Sequence, residues 1–342
     1  MILVTGGTGL VGAHLLLKLL ESGNKVRATH REKSNLEIVK KVFLYYHPSE
    51  KAIDLYTRIE WIQADLDDIP QLTTAFAHIS EVYHCAAMIS FDSSNSKELR
   101  KTNITGTANM VNLAIAQKIE KFCYISSIAT LDLELGERMI SENFAWHPEK
   151  YHSEYAISKH GAEIEVWRAS QEGLPVIIIN PGIIIGPGFW NAASGLLFKK
   201  VDNGLKFHFP KITGFVGVQD VVLLSIKAMR SNLINEQFIA VSENKSFKEV
   251  LEKVAFTLQK PAPTKTLKPW MVRLGWIFQS LGSMLFNTKK QLSSRDHKAL
   301  FETSLYSNAK SKKDLDFDYT NIQRVIEETG NFYILDKEIR ST

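Results

Sequence analysis

The chain has 342 residues, 44 % hydrophobic and 23 % charged, a normal globular balance with enough length for one large domain or two smaller ones. A formal charge of +4 with a pI near 8.8 is only mildly basic, and the basic residues are scattered, which excludes a nucleic-acid partner from the expectations. The densest cluster, Lys310, Lys312 and Lys313, runs into Asp314, Asp316 and Asp318 and reads as a solvated surface of mixed charge. Cys85 and Cys123 each follow or sit within an apolar run, so they read as reduced core thiols rather than as a disulfide or metal site. The apolar run MILV opens the chain with no charged region and cleavage site before it, so a cytoplasmic location is the expectation.

In chain order, short apolar runs predict strands at 2–4, 25–30, 58–63, 81–86, 121–126 and 175–180. Helical patterns such as VGAHLLLKLLESG and ITGTANMVNLAIAQK lie between them. Several of the strands are almost wholly apolar, as expected where both faces of a sheet are covered, and the alternation argues for βαβ units around a parallel sheet. After Asn180 the rhythm breaks at NPGIIIGPG, resumes in FVGVQDVVLLSIKAM, and returns to a strand pattern in EQFIAVS near 236–242. Residues 1–180 with that return strand are therefore expected to form one domain, and 181–342 largely a smaller second one. The stretch Trp270–Phe286 is short for a membrane span and carries Arg273 and Gln279, so a buried helix or a lid over a greasy pocket is expected instead.

The first strand runs directly into TGGTGLVG and then an amphipathic helix. Gly6, Gly9 and Gly12 are spaced three apart, and Gly7, Gly9 and Gly12 also satisfy G-x-G-x-x-G. Strand, glycine turn and helix N-terminus together are the context a dinucleotide pyrophosphate requires. The second strand ends ATHRE, so His30 and Arg31 stand where an acid would select NAD, and Arg31 can grip a 2′-phosphate. NADP(H) is the expected cofactor, with NAD(H) as the alternative.

With this loop, Tyr155 and Lys159 in YAISK complete a pattern that resembles the extended short-chain dehydrogenase/reductases, nearest their dihydroflavonol-4-reductase-like and 3β-hydroxysteroid-dehydrogenase-like subgroup. The resemblance implies an α/β fold, a Rossmann-type doubly wound parallel sheet with a smaller, mostly C-terminal substrate-binding domain. It implies dinucleotide contacts from Gly6, Thr8, Gly9, Leu10, Val11 and Gly12, from Asp65 and Leu66 in ADLDD, from Ala86 and Ala87 in HCAA, and from Tyr155 and Lys159, the lysine on the nicotinamide ribose. Pro181, Gly182 and Ile183 resemble the loop along the nicotinamide amide, and Asn103 in TNITGT resembles the family's structural asparagine, expected in the catalytic group as the organiser of the helix or of a proton-relay water. The segment from about 32 to 58, with VFLYYHP, departs from the pattern and implies an extra helix near the adenine end.

Carbonyl reduction needs a hydride, a proton and a polarised carbonyl. Tyr155 is the expected general acid/base, Lys159 the cation that eases its titration, and a serine the second hydrogen-bond donor. Ser126 and Ser127 compete for that last role. Strand alternation lets only one face inward, and the family alignment favours Ser127. The expected pocket wall is mostly apolar or aromatic: Met88, Ile89, Ser90 and Phe91, then Phe189, Trp190 and the 270–286 stretch. These features predict an NADP-dependent oxidoreductase acting on an apolar ketone, aldehyde or secondary alcohol. Two alternatives are an NAD-retaining nucleotide-sugar epimerase or dehydratase and a non-catalytic dinucleotide-sensing protein. The expected partner is a small molecule. The family resemblance is compatible with a homodimer built on the helices of Asn103 and Tyr155.

Overall fold

The computed structural model describes residues 1–90, 92–143, 146–271 and 301–341. Phe91 and residues 272–286, both assigned above to the pocket wall, lie outside the described residues. The central sheet has seven strands: β1 (Ile2–Thr5), β2 (Val26–His30), β3 (Ile59–Gln63), β4 (Glu81–His84), β5 (Lys121–Ile125), β6 (Val176–Pro181) and, later in the chain, β10 (Glu236–Ala240). Their spatial order is β10-β6-β5-β4-β1-β2-β3, and every pairing is parallel. The order reverses between β1 and β4, so a crevice opens there at the carboxyl ends of the strands.

Alternation along each strand builds two cores. Ile2, Val4, Ile177 and Ile179 face one side, where they meet α1 (Leu10–Glu21), α2 (Glu37–Tyr46), α3 (Ser49–Thr57) and, further along, α9 (Val218–Arg230). Leu3, Val82, Phe122 and Ile178 face the other side, toward α4 (Ile69–Ala75), α6 (Gly106–Ala116) and α7 (Glu154–Gln171). A short α5 (Ser96–Arg100) leads through a π-helical turn, Lys101–Thr105, into α6. Because both faces are covered, the strands read as continuous apolar runs.

A third core lies beyond β6. It joins β7 (Ile183–Ile185), α8 (Gly195–Asp202), β9 (Ile212–Gly217), α10 (Phe247–Thr257) and the C-terminal helix Ile322–Ser341. Here β9 pairs in parallel with β7 and antiparallel with β11 (Glu243–Ser246), while β8 (Phe207–His208) pairs with β12 (Lys265–Thr266). The return to the main sheet is β10, paired with β6 from Glu236↔Ile177 to Ala240↔Pro181.

The long segment after β2 folds as two helices, α2 and α3, rather than the one extra helix expected. Its apolar stripe, Val39, Val42 and Phe43, enters the first core. Its other face meets the C-terminal helix. The Asp336 carboxylate, 2 % exposed, accepts from the Tyr45 hydroxyl and from Trp190 Nε1 (2.6 Å) and pairs with Lys41 Nζ (2.7 Å). Trp190 therefore lies inside the third core, with its ring against Phe198 and Tyr333, and not on a pocket wall. An indole this apolar is buried readily once its N–H finds an acceptor, and Asp336 is that acceptor. Asp336→Ala is expected to cost about 2–4 kcal/mol of stability, because it leaves buried donors unpaired. A denaturant midpoint indistinguishable from the parent's would refute this latch.

Candidate active site

The loop after β1 is shaped by what side chains would strike. Gly6 has φ +67°, and a Cβ on it would lie 2.7 Å from the backbone of Ala86. A Cβ on Gly12 would lie 2.2 Å from the carbonyl oxygen of Gly6. Gly9 caps α1, and its N–H reaches the Gly6 carbonyl at 2.9 Å. Gly7 instead faces the side chains of Leu16 and Ala28, so its smallness serves packing. Of the two spacings in the sequence, Gly6, Gly9 and Gly12 form the tight turn. The first amides of α1, at Leu10, Val11 and Gly12, have no partner within their own helix and point from its end beside Thr8. This cradle, which a Cβ at Gly6 or Gly12 would disrupt, fits the pyrophosphate of a nicotinamide dinucleotide.

At the neighbouring strand ends, Arg31 follows His30 and is exposed, with its backbone N–H on Ser34 Oγ (3.0 Å). Asp65 is exposed, while Leu66 is buried against Gly106 and its carbonyl accepts from Asn109 Nδ2 (2.8 Å). Ala86 and Ala87 follow β4 at the crevice. Beneath them His84 is locked between Thr5 Oγ1 (2.6 Å) and Thr107 Oγ1 (3.1 Å), and burial pushes its pKa down to about 3. Gly182, between β6 and β7, donates its N–H to Ala240 (3.0 Å), and a Cβ there would meet the Gly214 carbonyl at 2.5 Å. Pro181 and Ile183 flank it.

Helix α7 starts where Ser153 Oγ accepts the N–H of Ala156 (3.2 Å), two residues before Tyr155. The preceding loop is pinned by His152 on Asp132 (3.0 Å) and by Trp146, whose ring stacks on both His152 and His160. Tyr155 is hydrogen-bonded to Ser127. Ser127 Oγ also caps the short helical turn Ile128–Thr130. Ser126 turns to the other side, against Glu163, as alternation along an extended chain dictates.

Asn103 sits in the π-helical turn and lashes two elements together. Its Oδ1 accepts from Met88 N (2.7 Å), and its Nδ2 donates to Met88 O (3.0 Å) and Ser158 Oγ (2.9 Å). Met88 is thus held by its backbone, and Ser90 Oγ accepts from Asp92 N and Asn95 Nδ2 within its own loop. Lys159 is buried and donates to Ile125 O (2.7 Å), with its Nζ 4.3 Å from the Tyr124 ring centroid.

The electrostatics differ from the sequence-based expectation in one respect. Lys159 was expected to lower the Tyr155 pKa. In the folded chain burial raises the phenol above its ordinary value, and the Ser127 hydrogen bond opposes that rise. Burial also draws Lys159 down to about 7, with Glu163 pulling the other way. A desolvated cation that is itself close to neutralising exerts less field on its neighbour.

Three residues at this site carried no recognisable signal in the strand and helix patterns: His84, Asn180 and Glu163. Asn180 Nδ2 lies within hydrogen-bond distance of Glu163 Oε1 (2.8 Å), Thr130 Oγ1 (3.0 Å) and Ser127 O (3.1 Å). Glu163 stands one helical turn beyond Lys159, a spacing that could have flagged it.

A crevice at the strand-order switch, a glycine turn feeding a helix N-terminus, and a Tyr–Ser–Lys group define an extended short-chain dehydrogenase/reductase. Residues 4–250 match the NAD-binding family described as Male sterility protein, and the chain belongs to that family. It is an NAD(P)-dependent oxidoreductase with a nicotinamide dinucleotide cofactor. The chain is 27 % identical to a candidate dihydroflavonol 4-reductase of Synechocystis sp., over 96 % of this chain and 93 % of that one. It is 24 % identical to cinnamoyl-CoA reductase 2 of Medicago truncatula, over 86 % and 91 %. Among solved structures, UDP-glucose 4-epimerase of Thermotoga maritima superposes with a TM-score of 0.77 over 98 % of this chain and 99 % of that one. At 19 % identity that likeness is one of fold. Among the described residues, no helix is long and apolar enough to cross a membrane.

Proposed function

We propose that the chain is an NADP(H)-dependent reductase or dehydrogenase that interconverts an apolar ketone or aldehyde and its alcohol, with Tyr155 as the general acid/base. The observation that carries the reading is the Tyr155–Ser127 hydrogen bond, with buried Lys159 one helical turn further along α7. In the direction of reduction, the Tyr155 phenol gives its proton to the carbonyl oxygen while the Ser127 hydroxyl hydrogen-bonds the same oxygen. A bound nicotinamide supplies the hydride. The ammonium of Lys159 stabilises the phenolate left behind, and Asn103 keeps the Met88 loop and α7 in register with one another. The two named reductases similar to this chain across most of their length support reduction over sugar epimerisation.

A panel of carbonyls and alcohols, followed by NADPH absorbance, tests the proposal. Purified protein that carries tightly held NAD and shows no preference for NADPH would favour epimerisation instead. The cofactor preference rests on Arg31, exposed beyond β2 with no carboxylate in the expected ribose position. Arg31→Ala is expected to weaken NADPH binding about 10–100-fold, the worth of a charge-assisted hydrogen-bonded pair, with a much smaller effect on NADH. Equal losses for the two cofactors would remove Arg31 from that role.

A further inference from the structure

Glu163 is 4 % exposed and lies one turn from Lys159 on the buried face of α7. A carboxylate in such a place needs donors, and it has them: Asn180 Nδ2 and Gln237 Nε2 both reach Oε1 at 2.8 Å. Asn180 lies near the end of β6, Gln237 comes from β10, and the two amides are themselves joined at 2.9 Å. The same Asn180 amide approaches the Ser127 carbonyl, so one amide network reaches both the serine loop and the carboxylate.

Lys159 has several titratable neighbours. On β4 and just after it stand His84 and Cys85, on β5 Tyr124, and on its own helix Tyr155 and Glu163. Burial keeps His84 neutral, with its pKa near 3, and raises Cys85 to about 12. It also raises both Tyr124 and Tyr155 above the ordinary phenol value. Within this group the Glu163 carboxyl is the strongest acid by its ordinary value. Burial raises its pKa too, but the Thr130 and Asn180 hydrogen bonds and Lys159 oppose that rise.

We propose that Glu163 is the positioning counter-charge of Lys159: its buried carboxylate, fixed by Asn180 and Gln237, holds the lysine in its ammonium form one helical turn from Tyr155. Glu163 acts through Lys159, while Tyr155 performs the proton transfer. The inference rests on the reading of Lys159 as the cation serving Tyr155.

The test is an NMR titration of the full chain carrying ¹³C-labelled lysine, with the Lys159 ε-carbon identified by its loss in Lys159→Met. Glu163→Gln is expected to move the Lys159 midpoint to lower pH by about one unit, a tenfold change in protonation. An unmoved midpoint would overturn the proposal. Chemical unfolding supplies a second reading, independent of how well Glu163→Gln alone folds. Lys159→Met leaves a buried carboxylate without its cation, so the double variant Lys159→Met/Glu163→Gln is expected to be at least as stable as Lys159→Met. A double variant less stable than Lys159→Met also overturns it. If the midpoint shifts as expected but no carbonyl or alcohol is turned over, the pair stands and the reductase reading fails. Tyr155-dependent turnover with an unmoved midpoint rejects the pair alone.

Discussion

Tyr155→Phe is expected to lower turnover by ~10²–10⁴-fold, the usual worth of a positioned general acid/base, while dinucleotide affinity stays nearly unchanged. The ring is half-buried and phenylalanine fills the same volume, so the change removes one hydroxyl and its bond to Ser127. On the proposed reading the dinucleotide is held largely by the glycine cradle and the strand ends beyond it, which this substitution leaves alone. A loss in kcat with cofactor affinity preserved is the signature of an interaction made in the transition state. Retained turnover would mean that the proton comes from another group. Ser127→Ala offers a milder companion, because one hydrogen-bond donor is lost while the proton source remains.

The second large effect is expected at Gly12. In Gly12→Val the new Cβ would sit 2.2 Å from the Gly6 carbonyl oxygen, a backbone atom that cannot move without opening the turn. Dinucleotide affinity is expected to fall by more than ~100-fold, about 2.7 kcal/mol, as the amides of the first helical turn lose their aim. Gly23 provides the comparison. It also has a left-handed φ, +76°, but a Cβ there meets nothing within 4 Å. Gly23→Ala should therefore cost about 1 kcal/mol of backbone strain and leave cofactor binding intact. Titration of NADPH fluorescence, with thermal unfolding to confirm that each variant is folded, separates the two cases. Equal losses of affinity at both positions would show that any distortion of α1 disturbs binding, and that the Gly6–Gly12 contact has no special part.

Local pattern alone carried the sheet. A continuous apolar run such as VIIIN, set between amphipathic helices, is a short-range property, and such runs specified six parallel strands to within a few residues of the observed bounds. EQFIAVS was legible as a returning strand for the same reason. The glycine turn was legible because it sits between strand and helix, and the Tyr155–Lys159 spacing because four residues make about one helical turn.

What the sequence determined by itself, then, was the fold class, the family and the cofactor cradle, all written in spacings of a few residues. Tertiary structure decided which glycine starts the turn, because the clash that excludes other residues at Gly6 comes from Ala86, eighty positions away. It decided that Trp190 belongs to a core, since its partner Asp336 arrives from the C-terminal helix. It likewise assembled Glu163, Asn180 and Gln237 from a helix and two strands paired only in the folded sheet. Burial set the charges at the site, and burial is a property of the packed chain: the spacing that brings Lys159 near Tyr155 is local, but the desolvation that draws it down to about 7 is not.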